Sequence, residues 1–215
     1  MTPRVFRIQA VPSHAAGERP RGSHSTYRFH EDETPVYVAH IFPHCMKPCR
    51  FVSLAPARAD DFVLRPSRRW LPMRWRVEAH ASGALIGSLR RQLLGRVDWH
   101  LRDADDAPVA RFVGRHDPRF WLWRFGDIFF GDRTPDGYEI VAGSTVAARM
   151  EREARAPAPD APRKTGVRKW LGKVLVDKDW VIRECAAPAR AIDPRLLYAG
   201  VVLLERISRD ASTVE

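Results

Sequence analysis

The sequence predicts a mostly β protein in which a closed or strongly curled sheet surrounds one hydrophobic helix near the C-terminus. Two observations support this fold class. A hairpin-like pattern recurs four times along the 215 residues, and one wholly apolar run, Leu196 to Leu204, follows the last repeat. The repeats predict a sheet with one face against a core, and the run predicts a helix that must be buried on all sides.

Each repeat predicts a β-hairpin. An aromatic residue, a spacer and an apolar residue lead into a polar break, after which an apolar pair resumes. Period-two alternation places one face of a pleated strand against the core, and the breaks contain residues that favour tight turns. The repeats run from Tyr27-Arg28-Phe29 to Val36-Tyr37, from Trp75-Arg76-Val77 to Leu85-Ile86, from Trp99-His100-Leu101 to Val109-Ala110, and from Tyr138-Glu139-Ile140 to Val146-Ala147.

The apolar run predicts a buried helix, with Asp193 as its N-cap and Pro194 at the first helical position. A helix on the surface of a sheet would show one polar face, whereas here the polar residues lie only at the ends of the run. The alternative to a surrounding sheet is a helix between two ordinary layers. The run has nine residues, whereas a membrane-spanning helix needs about 20, so no transmembrane segment is predicted. The predicted helix residues are Leu196, Leu197, Tyr198, Val201, Val202, Leu203 and Leu204.

Composition favours an acidic binding partner. The chain has 36 Lys and Arg residues against 26 Asp and Glu, which gives a formal net charge of +10. This charge favours anionic lipid headgroups or nucleic acid as partners. Because only five of the basic residues are lysine, an arginine-rich genome composition is the alternative explanation.

The cysteines and the N-terminus predict a cytoplasmic protein. Three cysteines, Cys45, Cys49 and Cys185, cannot all pair and suit a reducing compartment. Polar residues such as Arg7 and Gln9 interrupt the N-terminal 25 residues, which lack the apolar core of a secretory signal. We expect a flexible segment over 1–25, one domain over 26–207 with a mobile loop at 154–166, and a C-terminal tail over 208–215.

The chain resembles a known family, most closely near its C-terminus. An acidic pair and a short strand, Asp177-Lys178-Asp179-Trp180-Val181-Ile182, precede Ile192-Asp193-Pro194 and the apolar run. This order resembles the tubby C-terminal-like superfamily, and within it the phospholipid scramblase and LURP-one-related group. The resemblance covers Phe62 to Ile207. It implies a twelve-stranded antiparallel barrel threaded by the last helix, with Tyr27 to Leu54 supplying the opening strands.

The same resemblance suggests a calcium loop, but the residues depart from it. Scramblases carry an acidic loop before the helix, proposed to bind calcium, and Asp177 and Asp179 match its first two acidic positions. Calcium takes six to eight oxygen ligands, and the remaining positions do not supply them. We therefore expect no calcium there. The departing residues are Val181, Arg183, Cys185 and Pro188.

A second metal candidate lies near the first hairpin. His40, His44, Cys45 and Cys49 are ligand types that zinc prefers. His44 and Cys45 are adjacent, however, and neighbours on a strand point to opposite faces. Cys45 and Cys49 are alternatively candidates for palmitoylation, which the scramblase resemblance implies. Our expectation is that these are buried or incidental residues, with no metal and no cofactor.

Two stretches that interleave tryptophan with basic residues predict a membrane surface. They span 65–76 and 164–173. Tryptophan favours the headgroup level, and each basic side chain near an anionic surface contributes about 1 kcal/mol. The predicted lipid-binding residues are Arg68, Arg69, Trp70, Arg74, Lys164, Arg168, Lys169, Trp170 and Lys173.

The same stretches allow two other interpretations. Arginine on phosphates and tryptophan on unpaired bases would suit single-stranded nucleic acid. Alternatively, Trp70, Trp75 and Trp170 fill the barrel while the charges are solvated.

Catalytic motifs are missing from the sequence. It contains no glycine-rich phosphate loop and no nucleophile elbow. The sequence thus predicts a non-enzymatic, scramblase-like cytoplasmic protein that binds anionic phospholipid peripherally, at the inner face of the membrane. A protein-interaction scaffold and a nucleic-acid binder are the alternatives.

Overall fold

The computed structural model describes residues 3–11, 25–41, 47–54, 61–67, 74–91, 99–115, 137–154, 178–188 and 190–212. In this part of the chain, twelve antiparallel strands form a closed barrel and one helix, α1 (Pro194–Ser212), follows them. The strands are β1 (Val5–Val11), β2 (Ser25–Glu31), β3 (Thr34–Ile41), β4 (Cys49–Ser53), β5 (Phe62–Pro66), β6 (Arg74–Ala79), β7 (Leu85–Arg91), β8 (Trp99–Asp103), β9 (Pro108–Arg115), β10 (Gly137–Ala142), β11 (Thr145–Ala154) and β12 (Lys178–Glu184).

The barrel closes because β1 pairs with β2 on one side and with β12 on the other. All other strands pair with their neighbours in sequence. This arrangement confirms the predicted twelve-stranded antiparallel barrel with a C-terminal helix. The four predicted hairpins are also confirmed, as β2–β3, β6–β7, β8–β9 and β10–β11.

The hairpin turns explain the residues at the polar breaks. Asp32 and Asp106 adopt φ angles of 46° and 60°, and Gly83 and Gly143 adopt 68° and 62°. Glycine enters this left-handed region without strain, and aspartate tolerates it better than most residues. Each break therefore reverses the chain within a few residues.

The structure corrects two predicted boundaries. Strand β1, Val5–Val11, lies within the segment 1–25 that we expected to be flexible. Arg7 and Gln9, which interrupt the N-terminal apolar residues, alternate with Phe6 and Ile8 of the core. They are outward positions of a strand, because side chains alternate between the two faces of a sheet. The helix also continues past residue 207, to Ser212.

Helix α1 lies inside the barrel. The Tyr198 ring packs against Phe6 on β1 and Phe29 on β2, with centroids 5.9 and 5.1 Å apart. On the opposite side, Gly200 faces Phe112 of β9. All nine residues from Leu196 to Leu204 are buried. This confirms the helix buried on every side, and the alternative of two layers is wrong.

The start of α1 matches the predicted cap. The Asp193 carboxylate accepts a hydrogen bond of 2.9 Å from the backbone N–H of Arg195. Pro194 is the first helical residue, where its missing N–H has no intrahelical partner to lose. Within the described chain, α1 included, we find no helix with the length and apolarity that a bilayer span requires.

Two tryptophans of the core lie on β6 and β8. Trp75 and Trp99 are 1% and 2% exposed. Trp75 therefore fills the barrel, as one interpretation of the sequence predicted. Trp70 and Trp170 lie outside the described residues.

Candidate anion-binding surface

The structure describes one of the nine predicted lipid-binding residues. Arg74 is the first residue of β6. Eight of the predicted residues lie outside the described part of the chain, so their placement stays a prediction. They are Arg68, Arg69, Trp70, Lys164, Arg168, Lys169, Trp170 and Lys173.

The two ends of the barrel differ. At one end, tight hairpin turns join β2 to β3, β6 to β7, β8 to β9 and β10 to β11. Helix α1 leaves the barrel at the other end. It begins after β12, at the tight-turn end, and runs through the barrel to Glu205, which contacts Tyr27 and Trp180 near the first residues of β2 and β12. We call this other end the helix-exit end. Four strand termini belong to the helix-exit end and border the segments 68–73 and 155–177. They are Pro66, Arg74, Ala154 and Lys178.

Four basic residues form one row across four strands of the outer face. Arg74 lies directly opposite Arg90, Arg90 opposite His100, and His100 opposite Arg111. Adjacent strands are about 4.8 Å apart, so these side chains are close neighbours. We call this set the cation row.

The cation row faces outward, because the residue next to each member along its strand faces the core. Trp75, Leu89, Leu101 and Phe112 alternate with the row along β6 to β9, and all four are core residues. Arg90 and Arg111 are exposed, whereas Arg74 and His100 are partly buried.

The cation row adjoins the first predicted lipid-binding segment. The Ser67 N–H donates a hydrogen bond of 2.8 Å to the Arg74 carbonyl oxygen. Ser67 directly precedes Arg68 and Arg69. The row therefore begins where the segment 68–73 returns to the barrel.

Two carboxylates neutralise part of this face. Glu78 forms ion pairs with Arg65 and Arg76 at 3.4 and 3.2 Å. Asp106 forms one with Arg74 at 2.7 Å and a longer one with Arg102 at 3.5 Å.

Arg90 and Arg111 differ from these paired arginines. In the part of the chain that the structure describes, no carboxylate pairs with either of them. Among the described residues, nothing neutralises the positive charge at the centre of this face.

Sequence reasoning missed Arg90, His100 and Arg111. They are 10 and 11 residues apart and belong to two different hairpins. A signal was present, because the spacer after each aromatic residue must point outward, and His100 is such a spacer. The register between neighbouring strands places these residues directly opposite each other, and the hairpin pattern in the sequence does not determine that register.

A buried polar cluster inside the barrel was also missed. The Glu205 carboxylate on α1 accepts hydrogen bonds from the Tyr27 hydroxyl at 3.1 Å and from the Trp180 indole N–H. Arg152 forms an ion pair with it at 2.9 Å, and its guanidinium lies 4.6 Å from the centroid of the Trp180 ring. Glu205 directly follows the apolar run, where the sequence indicates only the end of a hydrophobic segment.

The zinc candidates do not come together. Cys49 is fully buried and lies opposite Leu64 of the core. His40 lies opposite Thr26 on the outer face, and its Nδ1 atom forms a 3.0 Å hydrogen bond with the Thr26 hydroxyl. The Cys49 and His40 side chains therefore project to opposite faces. His44 and Cys45 lie outside the described residues.

Only one of the two calcium candidates is described. Asp179 lies on β12 and is buried, and Asp177 is outside the described residues. Over the described ranges, no three His, Cys, Asp or Glu side chains form a group suited to a metal.

Comparison with known protein families, with curated proteins and with solved structures finds no match. The resemblance to the scramblase and LURP-one-related group therefore remains a prediction from the sequence.

Proposed function

We propose that this protein binds anionic phospholipid surfaces peripherally, through the helix-exit end and the adjoining face of β6 to β9. The cation row carries the proposal. Like charges directly opposite each other on neighbouring strands destabilise a sheet. Arg74 lies directly opposite Arg90, and although Asp106 pairs with Arg74, the repulsion that remains at Arg90 costs folding free energy that a layer of anionic headgroups would offset.

The position of the row supports the same surface. Arg74, Arg90 and His100 all lie within two residues of a strand terminus at the helix-exit end. The described strand termini that border 68–73 and 155–177 belong to the same end. Because each basic side chain near an anionic surface contributes about 1 kcal/mol, Arg74 and Arg90, which lie at this end, act together.

Lipid is favoured over nucleic acid by the direction of the aromatic side chains. Proteins that bind single strands combine cations with exposed aromatic rings on which bases stack. Trp75 and Trp99, on the strands of the cation row, point into the core instead. This face presents guanidinium groups, which bind headgroup phosphates without stacking.

The filled interior favours lipid binding over lipid transport. Moving a headgroup across a bilayer requires a hydrophilic path, and α1 with its aromatic neighbours occupies the inside of the barrel. The proposed role is a non-enzymatic, scramblase-like one at the cytoplasmic face of a membrane.

Co-sedimentation with liposomes tests the proposal. Neutral phosphatidylcholine vesicles and vesicles that also contain phosphatidylserine are compared across a salt series. Arg90→Glu combined with Arg111→Glu should weaken binding to the anionic vesicles more than tenfold at about 0.1 M salt. The matched control is Arg7→Glu with Arg28→Glu, which changes the net charge equally on β1 and β2, across the barrel from β7 and β8.

The outcomes separate the alternatives. Equal losses in the two double variants would mean that net charge alone drives binding. An absence of binding at low salt would reject the proposal. Tighter binding of a single-stranded oligonucleotide than of the vesicles at the same salt would favour nucleic acid.

A further inference from the structure

A second outward row lies beside the cation row and contains a buried hydroxyl. Arg65 lies opposite Arg76, Arg76 opposite Ser88, and Ser88 opposite Arg102. Ser88 faces outward, because Leu89 beside it is in the core, yet its exposure is 0%. A serine on the outer face of a barrel is normally wet.

Three buried donor groups lie on the neighbouring strands β6, β7 and β8 around this point. The Ser88 hydroxyl and the Nε–H groups of Arg74 and Arg102 have no hydrogen-bond partner among the described residues. Ser88 is directly opposite Arg102 and two residues from Arg90, the partner of Arg74. Buried donors are rarely left unsatisfied in native proteins, because each costs free energy. Their proximity indicates an acceptor that the described residues do not supply.

Asp106 partly fills this role. Its carboxylate accepts a hydrogen bond of 2.7 Å from Arg74 Nη2 and lies 3.5 Å from Arg102 Nη1. Its backbone carbonyl oxygen accepts a 2.6 Å hydrogen bond from the same Arg102 nitrogen. These contacts use the terminal guanidinium nitrogens only. Among the described residues, the inner Nε–H groups and the Ser88 hydroxyl have no hydrogen-bond partner.

We infer that Arg74, Arg102 and Ser88 form a pocket for one phosphate-type anion, and that the Asp106 carboxylate holds the place of this anion in the free protein. A phosphate group carries about two negative charges and offers at least three acceptor oxygens, against one charge and two oxygens for a carboxylate. One phosphate can therefore accept hydrogen bonds from both guanidinium groups and from the Ser88 hydroxyl at the same time. Rotation of the Asp106 side chain opens the pocket.

The inference deepens the proposed function and rests on it for its role at a membrane. The ligand chemistry is a terminal phosphate, which is offered both by a phosphomonoester headgroup and by free inorganic phosphate. Asp106 then acts as an internal competitor, so that only anions of higher charge than a carboxylate displace it.

The decisive variant is Asp106→Asn, with Asp105→Asn as its control. Asparagine tolerates the left-handed conformation of residue 106. Both variants remove one negative charge from the same turn, but among the described residues the Asp105 carboxylate contacts no arginine of this face. Binding is measured by titration with inorganic phosphate and with phosphatidylcholine vesicles that contain phosphatidic acid. We expect Asp106→Asn to tighten binding about fivefold and Asp105→Asn less than twofold.

Ser88→Ala separates a binding role from a structural one. Removing an unsatisfied hydroxyl should leave the unfolding midpoint in denaturant unchanged or raised. In the Asp106→Asn background it should weaken phosphate binding about tenfold, the usual effect of losing a hydrogen bond to a charged group.

The results fall into distinct classes. Equal effects of Asp106→Asn and Asp105→Asn, or phosphate affinity that Ser88→Ala leaves unchanged, would overturn the pocket. Tightening for phosphatidic acid vesicles alone identifies a lipid headgroup, and tightening for inorganic phosphate alone identifies a free anion. Failure of the wild-type protein to bind phosphatidylserine vesicles rejects the proposed function separately, since the phosphate titration of the two variants does not depend on it.

Discussion

The hydroxyl of Tyr27 on β2 donates a hydrogen bond of 3.1 Å to the carboxylate of Glu205 on α1, across 178 positions of the chain. The helix before Glu205 is apolar on every side, so specific contacts must set its rotation and depth. The close packing of Gly200 against Phe112 is one such contact, and Glu205 adds a polar one, because its carboxylate must reach its donors on β2 and β12. Single buried polar residues set register in coiled coils in the same way.

The Arg152 and Glu205 pair should show strong coupling. Arg152→Met leaves a buried carboxylate without its cation and should lower the free energy of unfolding by about 3 kcal/mol. The double variant Arg152→Met with Glu205→Gln should recover most of that loss, since the uncompensated charge is gone. Urea unfolding of both variants measures the difference. Equal losses in the single and double variants would contradict this account.

Gly200 should resist replacement even though alanine is the better helix former. A Cβ atom at residue 200 would lie 2.4 Å from Cε2 of Phe112. Overpacking of this kind costs about 1–3 kcal/mol, against a gain of about 1 kcal/mol from helix propensity. Gly200→Ala should therefore lower the thermal midpoint. Phe112→Leu should be less harmful in the Gly200→Ala background than alone; additive effects would argue against the contact.

Arg90 should be unfavourable for stability. It lies between Arg74 and His100, which are both basic. Arg90→Gln should raise the free energy of unfolding by about 0.5 kcal/mol at low salt, and the gain should fade near 1 M salt. The control is Arg28→Gln on β2, which lies opposite Gln9 and Val38. Equal changes in the two variants would show that the row carries no repulsion.

Asp61 should make stability depend on pH. Burial on its own would raise the pKa of this carboxyl, but hydrogen bonds from the Ser53 N–H and the Arg50 guanidinium outweigh burial and lower it below 3.8. A carboxyl with a lowered folded pKa stabilises the protein above its unfolded pKa, and this contribution disappears as pH falls through the folded pKa. Asp61→Asn should thus cost about 1 kcal/mol at pH 7 and progressively less below pH 4.

The measurement for Asp61 is urea unfolding at several pH values. Asp105→Asn is the control, because in the described structure its carboxylate has no hydrogen bond or ion pair. A difference between wild type and Asp61→Asn that stays constant from pH 7 to pH 3 would contradict the assignment.

Local patterns in the sequence determined the elements of this protein. Alternation at Trp75 and Trp99 predicted core-facing strands, and Asp193 with Pro194 predicted the start of the helix. These signals lie within a few residues of the structure they specify, so they can be recognised without knowing the fold. Arg7 and Gln9 alternate with Phe6 and Ile8 in a strand signal of the same kind, but this alternation also fits an interrupted apolar run, so the sequence alone left it ambiguous.

The tertiary structure decided which distant residues meet. Register across β6 to β9 aligned Arg74, Arg90, His100 and Arg111, and barrel closure brought Tyr27 to Glu205. Such contacts depend on hydrogen bonding between strands far apart in sequence, and a shift of one residue would send each side chain to the other face. The sequence therefore determined the elements and the burial of the helix, whereas long-range pairing determined the cation row, the arginines around Ser88 and the position of Glu205.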